Sequence, residues 1–176
     1  MKSIFISVPS FFGLGDVVTE ENQSNEPVFR KTNSEDDEVK RAHALAKETV
    51  VNFIDLVKKK KNVTYMAKLR FKDPELSEQS GKDQFSYIWL TKITYHPLEN
   101  LLSGILFEIP KVLAKWHKVG DKLAFEADDI FDWMVNDNGK VKGAFTIQLT
   151  RSRLENESEK IAYDKYVGIS SYETLS

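Results

Sequence analysis

The chain has 176 residues, 41% of them hydrophobic and 30% charged, with a formal net charge of −2. That length suits one domain able to bury its own core, and the near-neutral balance argues against a general nucleic-acid binder, whose phosphate contacts call for a basic face. The lack of cysteine excludes disulfides, thiolate metal sites and cysteine nucleophiles. No apolar run approaches the length of a membrane-spanning helix, so neither nucleic acid nor a membrane is expected as a partner, and the cytoplasm is the expected compartment.

Residues 3–8, Ser-Ile-Phe-Ile-Ser-Val, read as a short strand ended by Pro9. The start reads as mature protein, because Ser7 and Pro9 break the apolar run and no small-x-small cleavage site follows. Gly13 and Gly15 follow that strand as phosphate-loop glycines would. Val18 stands in the third glycine's place, however, and a polar stretch replaces the expected helix, so a plain loop is the reading. From Ser34 the pattern changes to one amphipathic helix over about 34–60. Ser34 caps it, Glu35 to Glu38 favour its positive end, and Val39, Ala42, Ala46, Val50, Phe53 and Val57 recur at helical spacing. Lys58 to Lys61 then read as solvated cations at its C-terminus.

Val63, Tyr65, Ala67, Leu69 and Phe71 alternate with polar or flexible partners, which predicts a strand. A polar connection leads to a second strand over 85–95, apolar on both faces and therefore central. A third strand follows at 101–109, with Gly104 marking a bulge or the close approach of another element. The Gly120-Asp121 turn introduces a short strand at Lys122–Phe125. Residues 128–134 read as a single helical turn, and Asn138-Gly139 predicts a type I′ hairpin between 134–136 and 140–142. Residues 144–154 fit both a strand, through Phe145, Ile147 and Leu149, and a helix, through Ile147, Arg151 and Leu154; the helix is preferred. The expected fold class is α+β: one amphipathic N-terminal helix on a curved, mainly antiparallel sheet of about 4–6 strands. The division expected is an extension over 1–33, the domain over 34–156, and a polar tail over 157–176 that frays apart from a segment at Ile161–Ile169.

The blocks AHALAKETVVNF, AKLRF, YIWLTKI, GILFEIP, KVGDKLAF, IFDWMV, NGKVKGAFT and LTRSRL, in this order over residues 40–155, resemble the bacterial YegJ-like family of unknown function, also called domain of unknown function 2314. The resemblance implies a small α+β domain and brings no catalytic residues with it. Some relatives look like immunity or accessory proteins of bacterial toxin systems. Ala144 stands where the family usually has a second glycine, which puts the tightness of that turn in question, and the segment 1–33 has no counterpart in the common domain.

His43, His96 and His117 show no ligand spacing, so neither a metal nor a cofactor is expected, and no nucleophile elbow, Walker loop or zincin motif is present. Asp128 and Asp132, one turn apart if 128–134 is helical, could share a proton or hold a divalent cation; otherwise Asp128 is a helix cap. Trp89 and Trp133 read as core aromatics that could alternatively line a groove. The leading expectation is a non-catalytic protein-binding domain, an immunity protein occluding a cognate toxin. Glu126, Asp128, Asp129, Asp132, Asp137 and Trp133 form its docking surface. The rivals are a divalent-metal enzyme built on Asp128 and Asp132, and an accessory domain without a discrete ligand.

Overall fold

The structure is a computed structural model and describes residues 37–175; the strand expected at 3–8, the loop at 13–18 and the extension 1–33 lie outside them. Helix α1 (Asp37–Lys58) buries Val39, Ala42, Ala46, Phe53 and Val57, the three-and-four spacing of one helix stripe. Asp37 and Glu38 lie at its positive end and Lys58 at its negative end, as the dipole favours.

Four strands then form an antiparallel meander: β1 (Thr64–Asp73), β2 (Gln84–His96), β3 (Leu101–Leu106) and β4 (Lys122–Phe125). Gly104 is a close approach: a Cβ there would sit 2.6 Å from Ile93 Cδ1 and 2.9 Å from Leu90 Cβ. The chain then returns to the free side of β1, where β5 (Ile130–Asp137) pairs antiparallel to it. β6 (Lys140–Gly143) follows across the hairpin. Asn138 at φ +50° and Gly139 at φ +89° give that hairpin the left-handed pair a type I′ turn needs. β7 (Ser171–Tyr172) adds in parallel to β6, so the open seven-stranded sheet runs β4-β3-β2-β1-β5-β6-β7.

Among the described residues the architecture is α+β with four helices and seven strands, where one N-terminal helix and about four to six strands were expected. Two of the additional helices were hidden in polar sequence. In α2 (Pro74–Ser80), the Asp73 carboxylate accepts from Leu76 N, proline opens the helix, and Gly81 closes it at φ +67°. In α4 (Glu157–Tyr166), Asn156 caps Glu159 N at 2.9 Å. Tyr163, Val167 and Ile169, inside the Ile161–Ile169 segment set apart from the polar tail, are buried, and the flanking residues expected to fray form the start of α4 and the seventh strand. Residues 145–152 form α3, the helical alternative for that segment.

The sheet has two buried faces. Beneath α1 lie Ala67, Leu69, Ile88, Leu90, Ile130 and Trp133 with Phe53 of the helix. Beneath α3 and α4 lie Met66, Trp89, Met134 and Val141 with Ile147, Tyr163 and Val167. Residues of β1 alternate between these faces, as period-two side chains must, and those of β5 do so from Asp132 onward, past an irregularity at Phe131.

Candidate functional site

The stretch 126–137 holds all six residues singled out for docking, and the structure separates them. Ala127–Asp129 is one short 3-10 turn. Glu126 is its N-cap, and Asp129 Oδ2 accepts Glu126 N at 2.8 Å in a reciprocal capping box, the role the sequence reading gave to Asp128. Glu126, Asp128 and Asp129 are exposed together there. Asp137 is exposed at the far end of β5, seven residue steps from Ile130 and so roughly 23 Å away along an extended strand.

Residues 130–134 are strand, not helix. Asp132 therefore points to the face opposite Trp133, and the helical pairing of Asp128 with Asp132 does not exist. Asp132 and Trp133 are both fully buried and cannot meet a partner on the surface. The ring of Trp133 stacks on Phe53 at 5.3 Å, and its Nε1 donates to Ala46 O at 3.2 Å and Thr49 Oγ1 at 3.1 Å of α1. Among the described residues, no group of three His, Asp or Glu side chains could hold a metal ion.

Asp132 has a structural task. Ala144, the residue preceding α3, is left-handed at φ +57° and offers no capping side chain. The Asp132 carboxylate reaches across from β5 to take that place, accepting Thr146 N at 2.8 Å, Phe145 N at 3.2 Å, Thr146 Oγ1 at 2.6 Å and Trp133 N at 2.8 Å. Lys68, its register partner on β1, donates from Nζ to Thr146 Oγ1 at 3.1 Å and lies over the Trp89 ring at 5.6 Å. Burial pushes the Lys68 ammonium down to about 8 against the attraction of Asp132. Burial likewise raises the Asp132 carboxyl against its hydrogen bonds and Lys68. The turn with alanine in the usual second-glycine place keeps its tight form, stitched by Ala144 N donating to Trp133 O at 2.7 Å.

A concave feature among the described residues lies at the end of the sheet where β1 ends and β2 begins: a groove of about 720 Å³ between α1, β1, β2, β4 and the start of β5. Its floor is aromatic, formed by Phe71, Phe85, Tyr87 and Phe131. From α1 it is lined by Lys40, His43 and Lys47, and Asp83, Asp128 and Asp129 add acidic side chains to the lining. A bulge places Phe131 there: Lys68 pairs with Asp132 and Leu69 with Ile130, leaving Phe131 without a partner in the ladder. His43 stacks on it at 4.4 Å. His43 Nδ1 donates to the Phe131 carbonyl at 2.9 Å, so its proton is fixed on that nitrogen. Arg70 lies 4.4 Å over the Phe85 ring, leaving its donors at the rim. Lys47 and Asp128 carry no ion pair among the described residues.

Of the docking residues read from the sequence, only Asp128 and Asp129 reach this groove. His43, a boundary residue of its helix by sequence, is half-buried there, and Lys47, Arg70, Phe85 and Phe131, none of them a candidate site residue by sequence, line it as well. The available signal was the run of apolar residues at both parities over Ile130–Met134, the mark of a strand buried on two faces.

Fold and site define a small open-sheet α+β domain, helical on both faces, with an aromatic groove at one end. The chain belongs to the bacterial family described as "uncharacterized protein conserved in bacteria (DUF2314)", whose model matches residues 36–171. No curated protein and no solved structure matches the chain.

Proposed function

We propose that this chain is a non-catalytic, cytoplasmic protein-binding domain whose docking site is the groove between α1 and β5. The observation that carries this reading is a groove whose lining combines four aromatic rings with basic side chains of α1 and the acids Asp83, Asp128 and Asp129. Aromatic surface supplies affinity without directional demands, while opposed charges fix the register of a polypeptide that carries both signs. The cost of preparing the groove is already met, because His43 and Phe131 are locked by stacking and a hydrogen bond.

In its finer form the proposal makes the partner a toxin and this domain its immunity protein, with Asp128 and Asp129 entering a basic surface of the toxin. The test uses a Lys47→Glu, Asp128→Lys double variant, both residues being exposed. Affinity capture from a bacterial lysate should enrich a partner with wild type and lose it with the variant at unchanged melting temperature. Identical capture by both would remove the groove from the interaction. Co-expression with a toxin encoded beside the gene should restore growth; no protection would remove the immunity role and leave the binding role to stand on the capture result.

A further inference from the structure

Two of the three tryptophans, Trp89 and Trp133, are fully buried, while Trp116 is 47% exposed. It sits in the connection between β3 and β4, where residues 111–122 hold Lys111, Lys115, Lys118 and Lys122 against the single Asp121 in a chain that is slightly acidic overall. All four lysines are exposed, and Val119, 63% exposed, stands at the corner of the turn Lys118–Asp121.

This loop is held rigid. Trp116 N and His117 N both donate to Leu113 O at 3.0 Å, and Leu113 is buried. Asp121 N donates to Lys118 O at 3.1 Å, with Gly120 at φ +95° in the third turn position, the signature of a type II turn. Lys118 N donates to Asp121 Oδ2 at 3.0 Å and Gly120 N to Leu106 O at 2.7 Å. The His117 ring packs edge-on to Phe71 at 5.4 Å, and Lys115 pairs with Glu75 of α2. Nothing among the described residues explains why so firmly tied a turn presents an indole and a valine to water.

We propose that the 111–122 loop is a contact for an anionic phospholipid surface. An indole is at home at the headgroup level, where its ring is dehydrated and its N–H stays wet. Lysines bury their stems beside it and place their ammonium groups among lipid phosphates. A convex turn with an aliphatic corner is suited to entering a planar interface; single-stranded nucleic acid would want a basic groove with stacking platforms, and Val119 has no role there. Because the loop is fixed before contact, no ordering cost is added. Such contact needs no spanning helix, consistent with none being long and apolar enough among the described residues.

Trp116 is itself the reporter among the described tryptophans, since the other two are shielded. The full chain would be mixed with vesicles of phosphatidylcholine containing about one third phosphatidylglycerol, and with pure phosphatidylcholine vesicles. Cosedimentation and a blue shift of tryptophan emission are expected with the first and not the second. Each lysine reversed should weaken partitioning at least about fivefold, so Lys111→Glu with Lys118→Glu should weaken it at least about 25-fold. Trp116→Ala and, separately, Val119→Asp should weaken it about tenfold or more, each with an unchanged melting temperature. Failure of the wild-type chain to sediment with the anionic vesicles overturns the proposal. So does undiminished sedimentation of Trp116→Ala and Val119→Asp, or an emission shift obtained with a single-stranded oligonucleotide and not with vesicles.

Discussion

Asp132 and Trp133 are neighbours on one strand and equally buried, yet the faces they enter hold together by different physics. Trp133 joins a face of aliphatic and aromatic side chains whose attraction is spread over many contacts and tolerates substitution in proportion to volume. Asp132 enters a face where one carboxylate satisfies four donors and faces a buried ammonium. That arrangement is directional, so loss of one member strands the others.

The largest expected effects come from breaking each side in turn. Asp132→Ala should destabilise by about 3–5 kcal/mol, because it uncaps α3 and leaves Lys68 buried without its counter-charge. Trp133→Ala should cost a similar amount, about 3–5 kcal/mol, through the cavity it opens. The conservative variants separate the two: Trp133→Phe should recover more than half of the loss. Asp132→Asn should recover little, since an amide restores no charge and turns a donor toward other donors. Urea melts of the four variants test this, and equal rescue on both sides would erase the distinction.

Next in size is a pH effect confined to the ionic face. Lys68 has a folded-state value lowered to about 8 from 10.5, so between those values the unfolded chain binds the extra proton and stability rises with pH. Relative to Lys68→Met, which has no such group, wild type should gain up to about 3 kcal/mol from pH 8 towards 10.5. A flat difference across that window would show that the ammonium is not penalised by burial.

Smaller effects belong to the turns that join the faces. Gly139→Val should cost about 1–3 kcal/mol, because Gly139 is at φ +89° and a Cβ would meet Ser170 Oγ at 2.8 Å. An unchanged melting curve would contradict the type I′ geometry. Ala144→Gly should change stability least, within about 1 kcal/mol of zero. Relief of a left-handed alanine gains about 1–2 kcal/mol and is offset by a lost buried methyl group and by glycine's greater chain entropy.

The apolar packing around Trp133 was legible in the sequence and the Asp132–Lys68–Thr146 network on the other face was not. Alternation through Tyr65, Ala67 and Leu69, the helical stripe of α1 and the Asn138-Gly139 turn each express a period or a local conformation, and each stands where it was expected. Asp132 was misread because a carboxylate four residues from Asp128 has the same spacing whether the backbone is helical or extended. Only the apolar residues on both sides of it decide for strand. Its real partner, the start of α3, lies 13 residues on and is brought near by a hairpin. The groove was illegible for the same reason: it is assembled from α1, β1, β2, β4 and β5, and no short window contains more than one wall.

The insertion of β5 beside β1 also sets an order of events in folding. β1 and β2 are sequence neighbours and can zip within times on the order of microseconds. The pairing of Thr64 with Asn136 and Tyr65 with Val135 must wait until the chain has passed through β2, β3 and β4. Contacts so distant along the chain slow folding, since a long loop is closed before any reward is received. Through that interval the meander shows an unpaired edge on β1, in what becomes the middle of the sheet, bordered by Met66, Ala67 and Leu69. A newly made molecule is therefore in a race, its own β5 competing with any extended strand of a neighbour for that edge.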